Sequence, residues 1–165
     1  MTDYNFFIRP VEVTDEGLLY EWKSDSFTRQ MIPGLVHLTA SEHLHLFEEQ
    51  LKKSQENQLL VSYSENKNGP QQVSPLGVVD FQPIIPQEAE LIFFLNPHLR
   101  NRKLAEPMLN AALKYAYNKL GILSVFAFVL NTNQQSIHLM HKLNFELIDD
   151  GEYKKSFLKD FKPSQ

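Results

Sequence analysis

Three cations, Arg100, Arg102 and Lys103, stand between an apolar stretch that ends at Leu95 and a helix-forming run. The first N–H groups of a helix have no partner inside it, and the helix dipole adds positive charge at that end, so anions are favoured there. Pro107 has no N–H to lose and belongs in the first turn, which sets the helix start at about Lys103 to Glu106. Leu104, Met108, Ala111, Ala112 and Tyr115 then recur on one face, and Gly121 closes the run as a C-terminal cap. Cations run against the ordinary preference for acidic residues at a helix N-terminus. Arg100 to Ala105 therefore make a seat suited to a phosphate or pyrophosphate; the other reading is a solvated loop.

The elements that must hold this loop follow from pattern. Phe6 to Arg9 predicts a short strand, and Thr14 a cap for a helix carrying Leu18, Leu19 and Trp22. Thr39-Ala-Ser-Glu42 is a capping box, followed by a helix with Leu44, Phe47 and Leu51 on one side. Leu59 to Ser64 and Leu76 to Phe81 predict strands around a long loop at Glu65 to Pro75. Pro83 and Pro86 turn the chain into a strand at Ala89 to Leu95. The apolar run Ile122 to Leu130 predicts a strand buried on both faces. Gln134 to Lys142 makes a short helix, and Phe145 to Ile148 pairs with Tyr153 to Leu158 across Asp149-Asp150-Gly151. The order is β-α-α-β-β-β-α-β-α-β-β, a mixed α/β class. The strand–helix–strand unit at 89 to 130 implies a parallel, right-handed crossover.

Composition bounds the rest. With 165 residues, 42% hydrophobic and 22% charged, the chain suits one domain over 1–165. No apolar run approaches the ~20 residues of a membrane span. The N-terminus carries Asp3 and no basic start, so it does not read as a signal peptide, and a cytoplasmic protein without a membrane partner is expected. Without cysteine there is no disulfide, thiolate metal site or cysteine nucleophile. A net charge of -4 argues against a nucleic-acid partner. His37, His43 and His45 lack the spacing and the carboxylate of a metal site, so no metal is expected.

Four segments resemble the GCN5-related N-acetyltransferase (GNAT) superfamily over nearly the whole chain. Gly77-Val-Val-Asp80 followed by Ala89-Glu90-Leu-Ile-Phe-Phe-Leu95 looks like its central hairpin. Arg100-Asn-Arg-Lys-Leu-Ala105 is similar to its pyrophosphate loop, with Lys103 where a glycine is usual. Asn133-Gln-Gln-Ser136 and Lys142-Leu-Asn-Phe145 resemble its Asn-x-x-Ser and Lys-Leu-Gly-Phe signatures, with Asn144 in place of the glycine. Glu21-Trp22-Lys-Ser-Asp25, Arg29 and Glu42-His43 look like elements of a subgroup that includes ribosomal-protein and amino-sugar acetyltransferases. The resemblance implies a single-domain fold with a mixed, mostly antiparallel sheet of about seven strands flanked by helices. It implies acetyl-CoA as acyl donor and direct attack by an amine, with a monomer or homodimer as the working form.

Site residues follow from the same resemblance. The strand backbone at Phe93, Phe94 and Leu95 would hold the pantetheine arm and polarise the thioester carbonyl. Arg100, Asn101, Arg102, Lys103, Leu104 and Ala105 would hold the pyrophosphate, with Asn133 and Ser136 near the arm. Glu90 shares a strand face with Ile92 and Phe94 and is either the base, its pKa raised by partial burial, or a solvated rim carboxylate. Met140 occupies the position where many relatives carry a tyrosine acid; Ser136, His138, His141 or solvent would have to protonate the thiolate. Trp22, Asp25, Arg29 and His43 form the expected acceptor wall, although Trp22 has packing as its other reading and Asp25 and Arg29 have solvated charge. The acceptor is expected to be a small amine such as an amino sugar or sugar nucleotide. A protein N-terminus and a non-catalytic acyl-CoA-binding module are the alternatives.

Overall fold

The computed structural model describes residues 4–32, 37–53, 57–65 and 72–161. Alternating apolar residues carry seven strands into one sheet: β1 (Asn5–Pro10), β2 (Gln58–Ser64), β3 (Ser74–Ile85), β4 (Glu88–Leu95), β5 (Ser124–Leu130), β6 (Glu146–Asp150) and β7 (Lys154–Asp160). Their order across the sheet is β1-β2-β3-β4-β5-β7-β6. Every neighbouring pair is antiparallel except β4 and β5, whose parallel pairing is what a strand–helix–strand crossover demands. The helices are α1 (Glu16–Ser24), α2 (Ser26–Met31), α3 (Ala40–Lys53), α4 (Ala105–Leu120) and α5 (Gln134–Lys142).

This is the expected mixed fold with one helix more. The chain breaks at Asp25, whose carboxylate accepts the Thr28 N–H at 3.0 Å and so caps a new helix, α2. Thr14 does not cap α1. A 3-10 turn at Val13–Asp15 precedes that helix, closed where Asp15 accepts the Glu12 N–H at 2.8 Å and pairs with Arg9 at 2.7 Å. The Thr39–Glu42 capping box does form, with bonds of 2.8 and 3.3 Å. Behind it α3 buries His43 and Phe47 and leaves Leu44 exposed, so the inward stripe contains His43 in place of the expected Leu44. Pro83 stays inside β3 at a register irregularity, and Pro86-Gln87 makes the turn. Most of the expected loop at 65–75 lies outside the described residues.

Two apolar layers sandwich the sheet. On one side α4 and α5 lay Met108, Leu109, Ala112, Leu113 and Met140 against strand residues such as Val79, Leu91 and Phe157. On the other, Leu19, Trp22 and Phe47 pack on Leu60, Val78 and Phe94. β5 is therefore not buried on both faces: Val125, Ala127 and Val129 enter the α4–α5 core, whereas Phe126 and Phe128 on the opposite face are only half-buried. Gly77 lets α4 come close to the sheet. A Cβ there would meet the Phe94 carbonyl oxygen at 2.7 Å and Met108 Sδ at 2.8 Å. At the far end of α4, Gly121 takes the left-handed cap conformation, φ 69°.

Candidate active site

β4 and β5 pair only where Glu88, Ala89 and Glu90 lie beside Ser124, Val125 and Phe126. Beyond those residues β3 keeps hold of β4 and β7 keeps hold of β5, so the two strands part. A cavity of about 600 Å³ fills the opening. The Asn96 N–H donates to the Leu76 carbonyl at 2.7 Å. Antiparallel alternation from that bond turns the backbone groups of Phe94 and Ile92 toward β3 and those of Phe93 and Leu95 into the gap. Of the three residues expected to hold an extended arm, Phe93 and Leu95 thus offer free backbone donors and acceptors, while the Phe94 backbone is committed to the sheet.

The basic loop forms the mouth of this gap. Asn101 and Lys103 both adopt left-handed backbone, φ 61° and 58°, a conformation that costs a non-glycine residue roughly 1–2 kcal/mol. Lys103 thus takes the conformation glycine would have had, with its side chain exposed. Asn144 does the same at φ 61° beyond α5. Helix α4 starts at Ala105, and its N-cap, Leu104, makes no side-chain cap bond. The N–H groups of the first turn lack a side-chain partner there, and Pro107 in that turn has none to satisfy. Arg102 and Lys103 are exposed at the cavity edge and form no ion pair among the described residues. Such a mouth fits a pyrophosphate.

Arg100 is oriented differently. Its guanidinium donates to Asp25 Oδ2 at 2.5 Å and Thr28 Oγ1 at 2.7 Å, and it lies 4.8 Å from the Phe27 ring centroid. The Arg100 hydrogen bond is the main reason that the Asp25 carboxyl falls from 3.8 to about 2. Asp25, expected in the acceptor wall, is thus already paired.

Glu90 lies at the vertex, on the last β4–β5 pair, and lines the cavity. Its register partner in β3 is Gln82, so Asp80, which faces Ile92, stands on the same side of the sheet. Burial pushes Asp80 from 3.8 up to about 6, and the nearby Glu90 charge adds to the rise, while the Gln82 hydrogen bond and Lys23 oppose it. Burial in turn lowers Lys23 on α1, against the pull of Asp80 and Glu16. A burial-shifted carboxyl therefore stands at Asp80, diagonal to Glu90 across the ladder; alternation of Gly77-Val-Val-Asp80 against the Glu90 strand is the signal that points to it. An acid raised by folding costs stability that grows as pH rises from about 4 to about 6 and is constant above. Asp80→Asn should gain on the wild-type protein by roughly 1 to 3 kcal/mol across that window. Urea midpoints at pH 4 and pH 7 check this, and a difference independent of pH would contradict it.

On the β5 side, Asn133 caps α5, its Oδ1 accepting the Ser136 N–H at 3.2 Å, and both residues line the cavity. His138 also reaches it. Met140 is fully buried in the core, and exposed His141 sets its ring against Phe157.

The expected acceptor wall does not assemble as such. Trp22 is 1% exposed and meets Phe94 edge-on. His43 is buried, 2.7 Å from Glu16 Oε1 and stacked on Phe47. Arg29 is half-buried with Nε unpartnered among the described residues. None of these lines the cavity. Its wall on that side is instead Phe27, Thr28, Met31 and Ile32, brought there by α2. The Asp25–Thr28 cap is the sequence signal for that helix. No group of three or more His, Asp or Glu able to hold a metal occurs among the described residues, and no described helix is long and apolar enough to cross a membrane.

Comparison with known proteins gives the same assignment. Acetyltransferase PseH of Campylobacter jejuni is 23% identical over 135 residues, covering 82% of this chain and 79% of that protein. A domain from Methanocaldococcus jannaschii superposes with a TM-score of 0.76 at 21% identity, over 96% of this chain and 100% of the other. Spermidine N-acetyltransferase from Vibrio cholerae, solved with CoA and spermine, superposes at 0.73 and 16% identity over 93% and 92%. These structural likenesses speak to the fold. The model of the Acetyltransferase (GNAT) domain matches residues 5–146, which take in β1 to β5, all five helices and the basic loop. The chain belongs to the GNAT acetyltransferase family, and is an acyltransferase with acetyl-CoA as its donor.

Proposed function

We propose that this enzyme transfers the acetyl group of acetyl-CoA to a small primary amine, such as that of an amino sugar or sugar nucleotide. The observation that carries the reading is the continuity of one cavity, from the basic loop, along the free backbone of Phe93 and Leu95, to Glu90 and the α2 wall. In this reading Arg102, Lys103 and the first N–H groups of α4 hold the pyrophosphate. The Phe93 and Leu95 backbone pairs with the pantetheine arm and polarises the thioester carbonyl. The amine nitrogen attacks the carbonyl carbon, the C–N bond forms and the C–S bond breaks. Glu90 takes the amine proton, directly or through water, and Ser136 or solvent returns a proton to the thiolate. Phe27, Met31 and Ile32 give the acceptor an apolar wall suited to the C–H face of a sugar ring, and a cavity of about 600 Å³ shared with the arm suits a small molecule.

The test is a panel of amino sugars, sugar nucleotides, polyamines and N-terminal peptides, with products identified by mass spectrometry. Preferred turnover of an amino sugar or its nucleotide is expected. Preference for a peptide amine would move the acceptor to protein N-termini, and tight CoA binding without turnover of any amine would overturn the catalytic reading. For the donor seat, Arg102→Ala should remove a charge-assisted contact worth ~1.5–3 kcal/mol and weaken CoA binding about tenfold or more. Calorimetry giving unchanged affinity for both Arg102→Ala and Lys103→Ala would take the phosphates away from this loop.

A further inference from the structure

The Arg100–Asp25 contact joins segments far apart in sequence, and each end holds a different part of the cavity. Arg100 opens the loop at the cavity mouth, while Asp25 is the N-cap of α2, the helix that with its C-cap Ile32 supplies Phe27, Thr28 and Met31 to the cavity wall. Two strong bonds, at 2.5 and 2.7 Å, and the Phe27 ring beneath the guanidinium hold the loop and the helix to each other. Thr28 is buried and shared: its N–H and its hydroxyl both reach Asp25, and the hydroxyl also receives Arg100. With six residues α2 is too short to be stable unaided, so its position depends on such contacts.

We propose that Arg100 is a positioning residue for the acceptor wall, acting through Asp25 and Thr28 to clasp α2 against the donor loop, and is not a ligand of the donor's phosphates. This rests on the reading of the α2 side as the acceptor side. The three cations of the loop thereby take different roles. Arg102 and Lys103 stay exposed at the mouth with no ion pair among the described residues, while Arg100 is committed to α2. The clasp also gives the donor and acceptor ends of the cavity a direct mechanical link, since a shift of the loop moves Phe27 and Thr28 with it.

Asp25→Asn and Arg100→Gln separate this role from others. Asparagine caps a helix as well as aspartate does, so Asp25→Asn keeps α2 capped and removes only the charge that fixes Arg100. Both variants are expected to raise the acceptor KM about tenfold while the CoA dissociation constant stays within about threefold. The double variant should be no worse than the worse single, because both remove the same contact. Both bonds leave one nitrogen, Nη2, so Arg100→Lys keeps a charged double donor but loses the planar guanidinium over Phe27 and should rescue only part of the loss. Hydrogen exchange of amides 26–32 should quicken in both variants with the rest of the fold unchanged. A tenfold loss of CoA affinity in Arg100→Gln, with Asp25→Asn silent, would make Arg100 a phosphate ligand and overturn the clasp. The exchange and CoA-binding measurements need no acceptor, so an enzyme that acetylates none of the amines tested would sink the proposed function while these two still decide the clasp.

Discussion

Glu90→Gln is expected to lower kcat/KM about a hundredfold or more near neutral pH, leaving the fold and CoA affinity intact. Glutamine keeps the shape and most hydrogen bonds of glutamate but loses its basicity. The loss should shrink as pH rises, because the acceptor amine then gives up its proton to water before it binds. Glu90 stands where the two parting strands last touch, with Asp80 and Lys23 nearby, so the proton would be received in a partly buried corner that holds two carboxyls and one ammonium. Steady-state rates from pH 6 to 10 check this. An unaltered pH–rate profile in Glu90→Gln would mean that the amine loses its proton elsewhere, with Asp80 or solvent the next recipients to test.

The second large effect concerns stability. Trp22→Ala should cost about 3–5 kcal/mol, the usual range for emptying a large aromatic site in a core. Trp22 is almost fully buried between α1 and the sheet, packed on Phe94 and in one cluster with Leu19, Phe47 and Val78. Trp22→Phe retains most of the packing and should leave the acceptor KM unchanged. A shift in acceptor KM of tenfold in Trp22→Phe, with stability near wild type, would return Trp22 to the acceptor wall.

Much of this architecture is legible in the sequence because the local signals agree with the packing. Pro107 and Gly121 bracket α4, the Thr39–Glu42 box starts α3, and the motif at 89–105 marks the strand, loop and helix that meet at the cavity mouth. Left-handed backbone at Lys103 and Asn144 is also readable, since a glycine-type position keeps its conformation even when another residue fills it. What the sequence hides is which side chains meet across long separations. Arg100 and Asp25 lie 75 residues apart, and nothing local distinguishes a cation that will meet a phosphate from one that will meet a carboxylate. Helix periodicity places Trp22 on an inward face, but an inward face can end in the core or in a cavity, and only the packing decides; in α3 the packing turns His43 inward in place of the expected Leu44. The break at Asp25, which creates α2 and with it the real wall, is masked when Glu21 to Arg29 is taken as one motif on one helix.

The gap between β4 and β5 as the seat of acetyl-CoA is the claim on which the rest depends. A crystal structure of the enzyme grown with CoA tests it most directly. The expected result is a pantetheine arm lying between the two strands, its amides paired with the backbone of Phe93 and Leu95, and its pyrophosphate against the N–H groups at the start of α4 beside Arg102 and Lys103. An arm bound elsewhere, or a β4–β5 ladder closed along its length with CoA outside it, would contradict the account.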